Sequence, residues 1–154
     1  MSFELQADAP ALTPASRETL DKLAIVNEGI LKFEQIPIAT HHILHGGMYA
    51  RGIRLQPGTV MMGSLIKRAT LLIVNGRTSV VSGDTWIELE GYNVLPGRAG
   101  RKQLFVTHGQ VEMTMVYATQ AKTVAEAEDE IFADVDELMS RKDDSRDTFT
   151  ITGE

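Results

Sequence analysis

Cysteine is missing from this chain. A disulfide framework, thiolate metal ligands and a thiol nucleophile are all excluded, and the absence fits a reducing compartment. Histidine is scarce, with four residues at 41, 42, 45 and 108. No apolar run approaches the length that crosses a bilayer, so no membrane contact is expected. The opening Met1-Ser2-Phe3-Glu4-Leu5-Gln6-Ala7-Asp8 has no apolar h-region and reads as no signal peptide. A soluble cytoplasmic protein is the resulting expectation. Also lacking are a P-loop, a dinucleotide fingerprint and a nucleophile elbow.

What remains is an ordinary globular mixture, 43% hydrophobic and 23% charged over 154 residues, enough for one domain with a sizeable core. The net charge of −6 is unevenly spread. Residues 1–40 carry 3 Lys+Arg against 6 Asp+Glu, residues 41–120 carry 8 against 4, and residues 121–154 carry 4 against 11. Overall acidity argues against nonspecific nucleic-acid binding. The locally basic middle leaves room for a small anionic ligand.

The chain divides by pattern into an N-terminal arm and helix (1–40), a β region (41–120), an acidic helix (121–140) and a polar tail (141–154). Residues 1–12 read as a loose arm. Thr13-Pro14 reads as a helix start, with a helix over 14–28 closed by Gly29. Ile30 to Ile38 alternates only partly and reads as a strand ending near Pro37. The chain must then bend at Gly46-Gly47. From Met48 onward, short runs of β-branched and aromatic residues are separated by Gln56-Pro57-Gly58-Thr59, Asn75-Gly76 and Pro96-Gly97. That rhythm predicts a sandwich or small barrel. Asn75-Gly76 predicts a two-residue hairpin, and a second hairpin is expected across His108-Gly109-Gln110. Thr123-Val124-Ala125-Glu126 is a capping box opening a helix over 124–140, with Val124, Ala127, Ile131, Val135 and Leu138 at helical spacing. Thr148-Phe149-Thr150-Ile151 alternates like a short strand and could join a sheet edge, in this chain or in a second subunit.

Side chains alternate along a strand, so Tyr49, Arg51, Ile53 and Leu55 share the apolar face of residues 48–55. Arg51 is then a charge on an inner face. It needs an internal carboxylate, a place at the barrel rim, or an anionic ligand. In the last strand Val111, Met113, Met115 and Tyr117 share a face.

The run Gly47-Met48-Tyr49-Ala50-Arg51, then Pro57-Gly58-Thr59, Gly63, Asn75-Gly76, Pro96-Gly97 and Thr119, resembles a small cupin of the kind found in tailed phages and prophages, over about residues 40–135. The resemblance implies a mainly β, double-stranded β-helix (jelly-roll) barrel, commonly paired as a homodimer. It also implies barrel histidines holding a divalent metal. This sequence departs there, with Ile66 and Thr70 after Gly63, and Tyr117-Ala118-Thr119 where the later histidine is expected. Such side chains are poor metal ligands. No metal or other cofactor is therefore expected; the alternative is a rebuilt site using His41, His45 and His108.

The candidate ligand-binding set is Tyr49, Arg51, Ile66, Met115 and Tyr117 inside the barrel, with Arg68, Thr70, Arg98 and Arg101 near its mouth. Arginine would pair with a phosphate or carboxylate and tyrosine would stack on a ring. The competing expectation is a barrel filled by its own side chains. Three functions stay open. The first is a metal-free cupin binding a small anionic ligand, such as a phage protein sequestering a signalling nucleotide in the host cytoplasm. The second is an enzyme, metal-independent or with an atypical histidine-bound metal. The third is a structural or interaction protein, and in each case a homo-oligomer is expected.

Overall fold

The structure, a computed structural model, describes residues 10–154; the first nine residues of the expected loose arm lie outside them. In chain order the elements are α1 (Arg17–Ile30), β1 (Thr40–His45), β2 (Met48–Leu55), β3 (Val60–Met62), β4 (Thr70–Asn75), β5 (Thr78–Ser82), β6 (Thr85–Leu89), β7 (Tyr92–Gly97), β8 (Leu104–Thr107) and β9 (Val111–Ala118). Then come α2 (Val124–Ile131), a 3₁₀ turn at Val135–Glu137, α3 (Met139–Lys142) and β10 (Thr148–Ile151). The strands form two sheets, ordered β10-β1-β2-β9-β4-β7 and β3-β8-β5-β6. The strands β2 to β9 divide four and four, ordered β2-β9-β4-β7 and β3-β8-β5-β6, with the last strand beside the first. That is the strand order of a double-sheet jelly roll, the architecture cupin domains share with capsid and lectin domains.

Alternation builds the core. β9 buries Val111, Met113, Met115 and Tyr117, and β4 buries Thr70, Leu72 and Val74. Across the β2–β9 ladder Tyr49 faces Tyr117, Arg51 faces Met115 and Ile53 faces Met113. These inner-face residues meet Val80, Leu89 and Phe105 of the smaller sheet in one cluster. β5 is buried at all five positions, because α1 covers its outer face through Leu23, packed on Val81 and Leu104, while Val80 joins the core. Gly46 and Gly47 close the β1–β2 hairpin with φ of +60° and +71°, the left-handed pair that a tight two-residue hairpin requires.

Several local expectations are corrected. α1 starts at Arg17, capped by Ser16, whose Oγ accepts from Thr19 N at 3.3 Å. Thr13 is engaged elsewhere: its carbonyl accepts from Gly83 N and its own N–H donates to Ser82 Oγ. Ile30 ends the helix, and residues 31–39 form no strand; the first strand is Thr40–His45, so the His41–His45 segment is regular. Neither Asn75-Gly76 nor His108-Gly109-Gln110 closes a hairpin, since β4 and β5, like β8 and β9, lie in different sheets. Local turn chemistry is the same for a hairpin and for a crossing between sheets. Pro96-Gly97 belongs to β7, on the antiparallel ladder with β4, and the chain turns only after it.

The helix expected over 124–140 breaks after Ile131. Phe132 leaves helical geometry (φ −97°, ψ 135°) and enters the core, while Lys67 N bonds to Ile131 O and Ala133 N to Leu65 O. Pairing with residues 65–67 thus replaces further helix. The apolar stripe still packs inward: Val124, Ala127, Ile131 and Phe132 all join the core. β10 forms as expected and pairs in parallel with β1 of its own chain. Among the described residues no helix is long and apolar enough to cross a membrane.

Candidate functional site

The larger sheet has six strands against four, and the C-terminal segment meets the inner face of β1 and β2 through Asp147 and Glu128. There β2 presents Tyr49 and Arg51, β9 presents Tyr117, and β1 presents His42. Tyr49 and Tyr117 are buried and meet edge to face, centroids 5.6 Å apart at 87°. The Tyr117 hydroxyl donates to the Ala127 carbonyl of α2. Burial pushes the Tyr49 phenol up to about 12, with Arg51 opposing the rise, and burial likewise pushes Tyr117 up.

Arg51 does carry its charge inward, and its partner is an internal carboxylate. Nη1 donates to Glu128 Oε2 at 2.6 Å and to Tyr49 Oη at 3.2 Å; Nη2 donates to Ser140 Oγ at 3.0 Å. The guanidinium also lies 5.0 Å from the centre of the Phe132 ring. Glu128, 3% exposed, further accepts from Ser140 Oγ and Arg141 Nε, each at 2.9 Å. Burial alone would raise its carboxyl, but the hydrogen bonds and charges of Arg141 and Arg51 hold it below the usual carboxylate range.

His42, 1% exposed, continues the chain of contacts: Nδ1 lies 2.5 Å from Tyr49 Oη and Nε2 lies 2.9 Å from Asp147 Oδ2. A proton on Nε2 satisfies every member, since Arg51 then donates to Tyr49, Tyr49 to His42, and His42 to Asp147. Phe149 stacks on the imidazole at 4.8 Å. A cleft of about 190 Å³ opens beside this network, lined by His42, Glu128, Ser140, Arg141, Asp147 and Phe149 among others. A second, of about 130 Å³, lies near Met48, Lys122 and Ile151.

The structure gathers part of the expected site. Tyr49, Arg51, Met115 and Tyr117 share the inner face, and Ile66 bridges Phe132 nearby. Their interior is filled, as the competing expectation had it, in part by α2 and Phe132. Thr70 and Arg101 are buried against each other, not at a mouth: Arg101 is 1% exposed and Nη2 donates to Thr70 Oγ1 at 2.7 Å. The place near the barrel mouth expected for Thr70 and Arg101 is therefore corrected. Arg98 is exposed and contributes only its carbonyl, which accepts from Arg101 Nη1. Arg68 stands outside, half-exposed, on Glu130.

The alternative metal set does not converge. His45 lies on Thr152 and Glu154, His108 on Ser79 and Glu88 of the smaller sheet, and His41 is exposed. Among the described residues no group of three or more His, Asp or Glu side chains is placed to hold a metal ion. The positions that the resemblance would give to metal ligands do not fit one either. Ile66 offers no donor, Tyr117 is bound to Ala127 O, and Thr70 already receives the Arg101 cation. The residues missed were Glu128, Ser140, Arg141, His42 and Asp147. Only Glu128 left a signal: with Val124, Ala127 and Ile131 it completes an i, i+3, i+4, i+7 face, so a carboxylate stood on the buried stripe.

No protein-family model and no curated protein matches the chain. Solved structures that it resembles are cupin-domain proteins. One is a cupin-2 domain from Rhodospirillum rubrum, with TM-score 0.47 and 14% identity over 62% of this chain and 74% of that one. Another is a cupin superfamily protein from Desulfitobacterium hafniense, with TM-score 0.46 and 14% identity over 72% and 100%. A third is an RmlC-like cupin from Methanocaldococcus jannaschii, with TM-score 0.45 and 16% identity over 56% and 86%.

Proposed function

We propose that this protein binds a small anionic ligand on Arg51 and that Glu128 occupies the ligand's place when none is bound. One observation carries the reading: an inward guanidinium of β2 is held at 2.6 Å by a carboxylate from the C-terminal segment, beside an open cleft. A phosphate or carboxylate presents the same acceptor geometry as Glu128 and can take over the Arg51 fork. Phe149, half-exposed in the cleft lining, supplies aromatic surface beside it, which suits a ligand with a ring. Nucleotides combine both features, and the resemblance to phage cupins makes host signalling nucleotides the first class to test.

Calorimetric titration of a nucleotide panel checks this with wild type, Arg51→Ala and Glu128→Gln. Binding is expected in wild type, tighter binding in Glu128→Gln where the internal competitor is weakened, and none in Arg51→Ala. Heat absent across the panel in both wild type and folded Glu128→Gln removes the reading.

A further inference from the structure

The outer face of the larger sheet departs from the pattern of a solvated sheet. Leu72, Val74, Met113 and Met115 lie in the core, so their strand neighbours Leu71, Ile73, Thr114 and Val116 point the other way. An antiparallel sheet with one wet face should be polar on that side. The ladder register instead lines up two rows without charge. Pro96, Leu71, Val116, Ala50 and Ile43 follow one another across β7, β4, β9, β2 and β1. Val94, Ile73, Thr114, Gly52 and His41 make the next row. Neither row contains Lys, Arg, Asp or Glu, in a chain that is 23% charged. Leu71 is 50% exposed and Val94 47%. Among the described residues, none of the apolar side chains in these rows joins either packed core cluster.

This face is complementary to itself. Its midline runs between β2 and β9, with three strands on either side. A two-fold axis along that line lays β9 of each copy on β2 of the other, residue level with residue, as a closed isologous pair requires. The larger side chains of β9 then meet the small ones of β2: Val116 falls on Ala50 of the second copy, and Thr114 on Gly52. One row further on, Arg54 and Glu112 are cross-strand partners 3.4 Å apart within one chain. The same axis sets Arg54 of each copy opposite Glu112 of the other. An uncharged centre with a charged rim is the composition of a protein interface. Six strands of about six residues measure roughly 29 by 20 Å, about 600 Å² before side-chain relief is counted. Stable complexes bury about 600–1,000 Å² on each partner.

We propose that a second copy of this chain docks here, outer face on outer face, about a two-fold axis between β2 and β9. Ala50 and Gly52 point away from the core while Arg51 points into it, so the interface is separate from the Arg51 site.

Sedimentation velocity and crosslinking of the full chain test it. Wild type should sediment at twice the chain mass at micromolar concentration. Leu71→Glu and Val116→Glu each put a charge into the uncharged centre and should raise the dissociation constant by roughly tenfold or more. Trp86→Glu, at an exposed position of the smaller sheet, should leave it unchanged. Arg54→Glu should weaken the pair, and adding Glu112→Arg should restore it. The chain has no cysteine, so Thr114→Cys carries the only thiol and a short bismaleimide should link two copies, whereas Glu90→Cys should stay unlinked. A chain that is monomeric at every concentration, its face left to residues 1–9 or to a different protein, overturns the proposal. So does a dimer that survives in folded Leu71→Glu, or one that Thr114→Cys fails to link. Each of these results leaves the Arg51 reading standing, because nucleotide binding is measured separately.

Discussion

Glu128 is the carboxylate that two guanidinium groups share, while Arg141 also holds Asp129 at 2.9 Å, and that asymmetry gives a prediction with a sign and a size. Its side chain is 4% exposed, against 13% for Arg51 and 26% for Arg141. Glu128→Gln keeps the volume but takes the carboxylate from Arg51 and leaves Arg141 only the exposed Asp129, whereas Arg51→Met leaves Glu128 still held by Arg141 and Ser140. Breaking a buried pair from the side that leaves charge uncompensated costs ~3–5 kcal/mol. Discounted for the partial exposure of Arg141, Glu128→Gln should cost about 3–4 kcal/mol and Arg51→Met about 2 kcal/mol. At this chain length each kcal/mol lowers the melting midpoint by roughly 2–4 °C. Urea unfolding of both single variants and of Arg51→Met/Glu128→Leu measures the order and the coupling, and the double variant should recover at least 1 kcal/mol (roughly) of the summed loss, because no charge is then left unpaired at Arg51. Arg51→Met costing as much as Glu128→Gln, or both costing under about 1 kcal/mol, would refute the reasoning that Glu128 is the carboxylate balancing Arg51.

Other expectations follow from the same contacts. The Glu128 carboxyl is held below its ordinary 4.5, so its contribution is complete above that pH and fades as pH falls through the lower folded value; the wild-type advantage over Glu128→Gln should shrink in acid melts. Tyr49, pushed up from 10.0 to about 12, disfavours the folded state once unfolded phenols ionise, so stability should fall above pH 10, with phenolate absorbance from Tyr49 and Tyr117 developing only on unfolding. Phe132→Ala empties a core position that is 5% exposed and should cost ~3–5 kcal/mol in urea unfolding. Gly97→Ala forces a methyl against the Arg101 guanidinium and should cost ~1–3 kcal/mol by the same measurement.

The strands themselves were legible because one face of each is buried, and β9 and β4 show the period-two pattern in full. Which strands pair was not legible. Asn75-Gly76 and His108-Gly109-Gln110 have hairpin chemistry, but the jelly roll uses them to pass from one sheet to the other, a choice made by partners 17 to 58 residues away, as the Leu55↔Val111, Asn75↔Tyr92 and Arg54↔Glu112 pairs show. The inward charge of Arg51 could be read from parity alone. Its answer in Glu128 could have been read from the helical stripe. The His42–Asp147 contact spans 105 residues and no local pattern announces it. Arg101 was misplaced because glycine and basic residues in a row usually mean a wet turn, whereas Gly97 here is the clearance that lets a guanidinium lie against the backbone.

β5 has no solvent-facing side, being walled by strands on both edges, by the core beneath and by α1 above. Its amide protons should therefore be among the slowest in the molecule to exchange with deuterium, and since the ladders to β6 and β8 hold them, their release should report the opening of the smaller sheet and not the lifting of α1 alone.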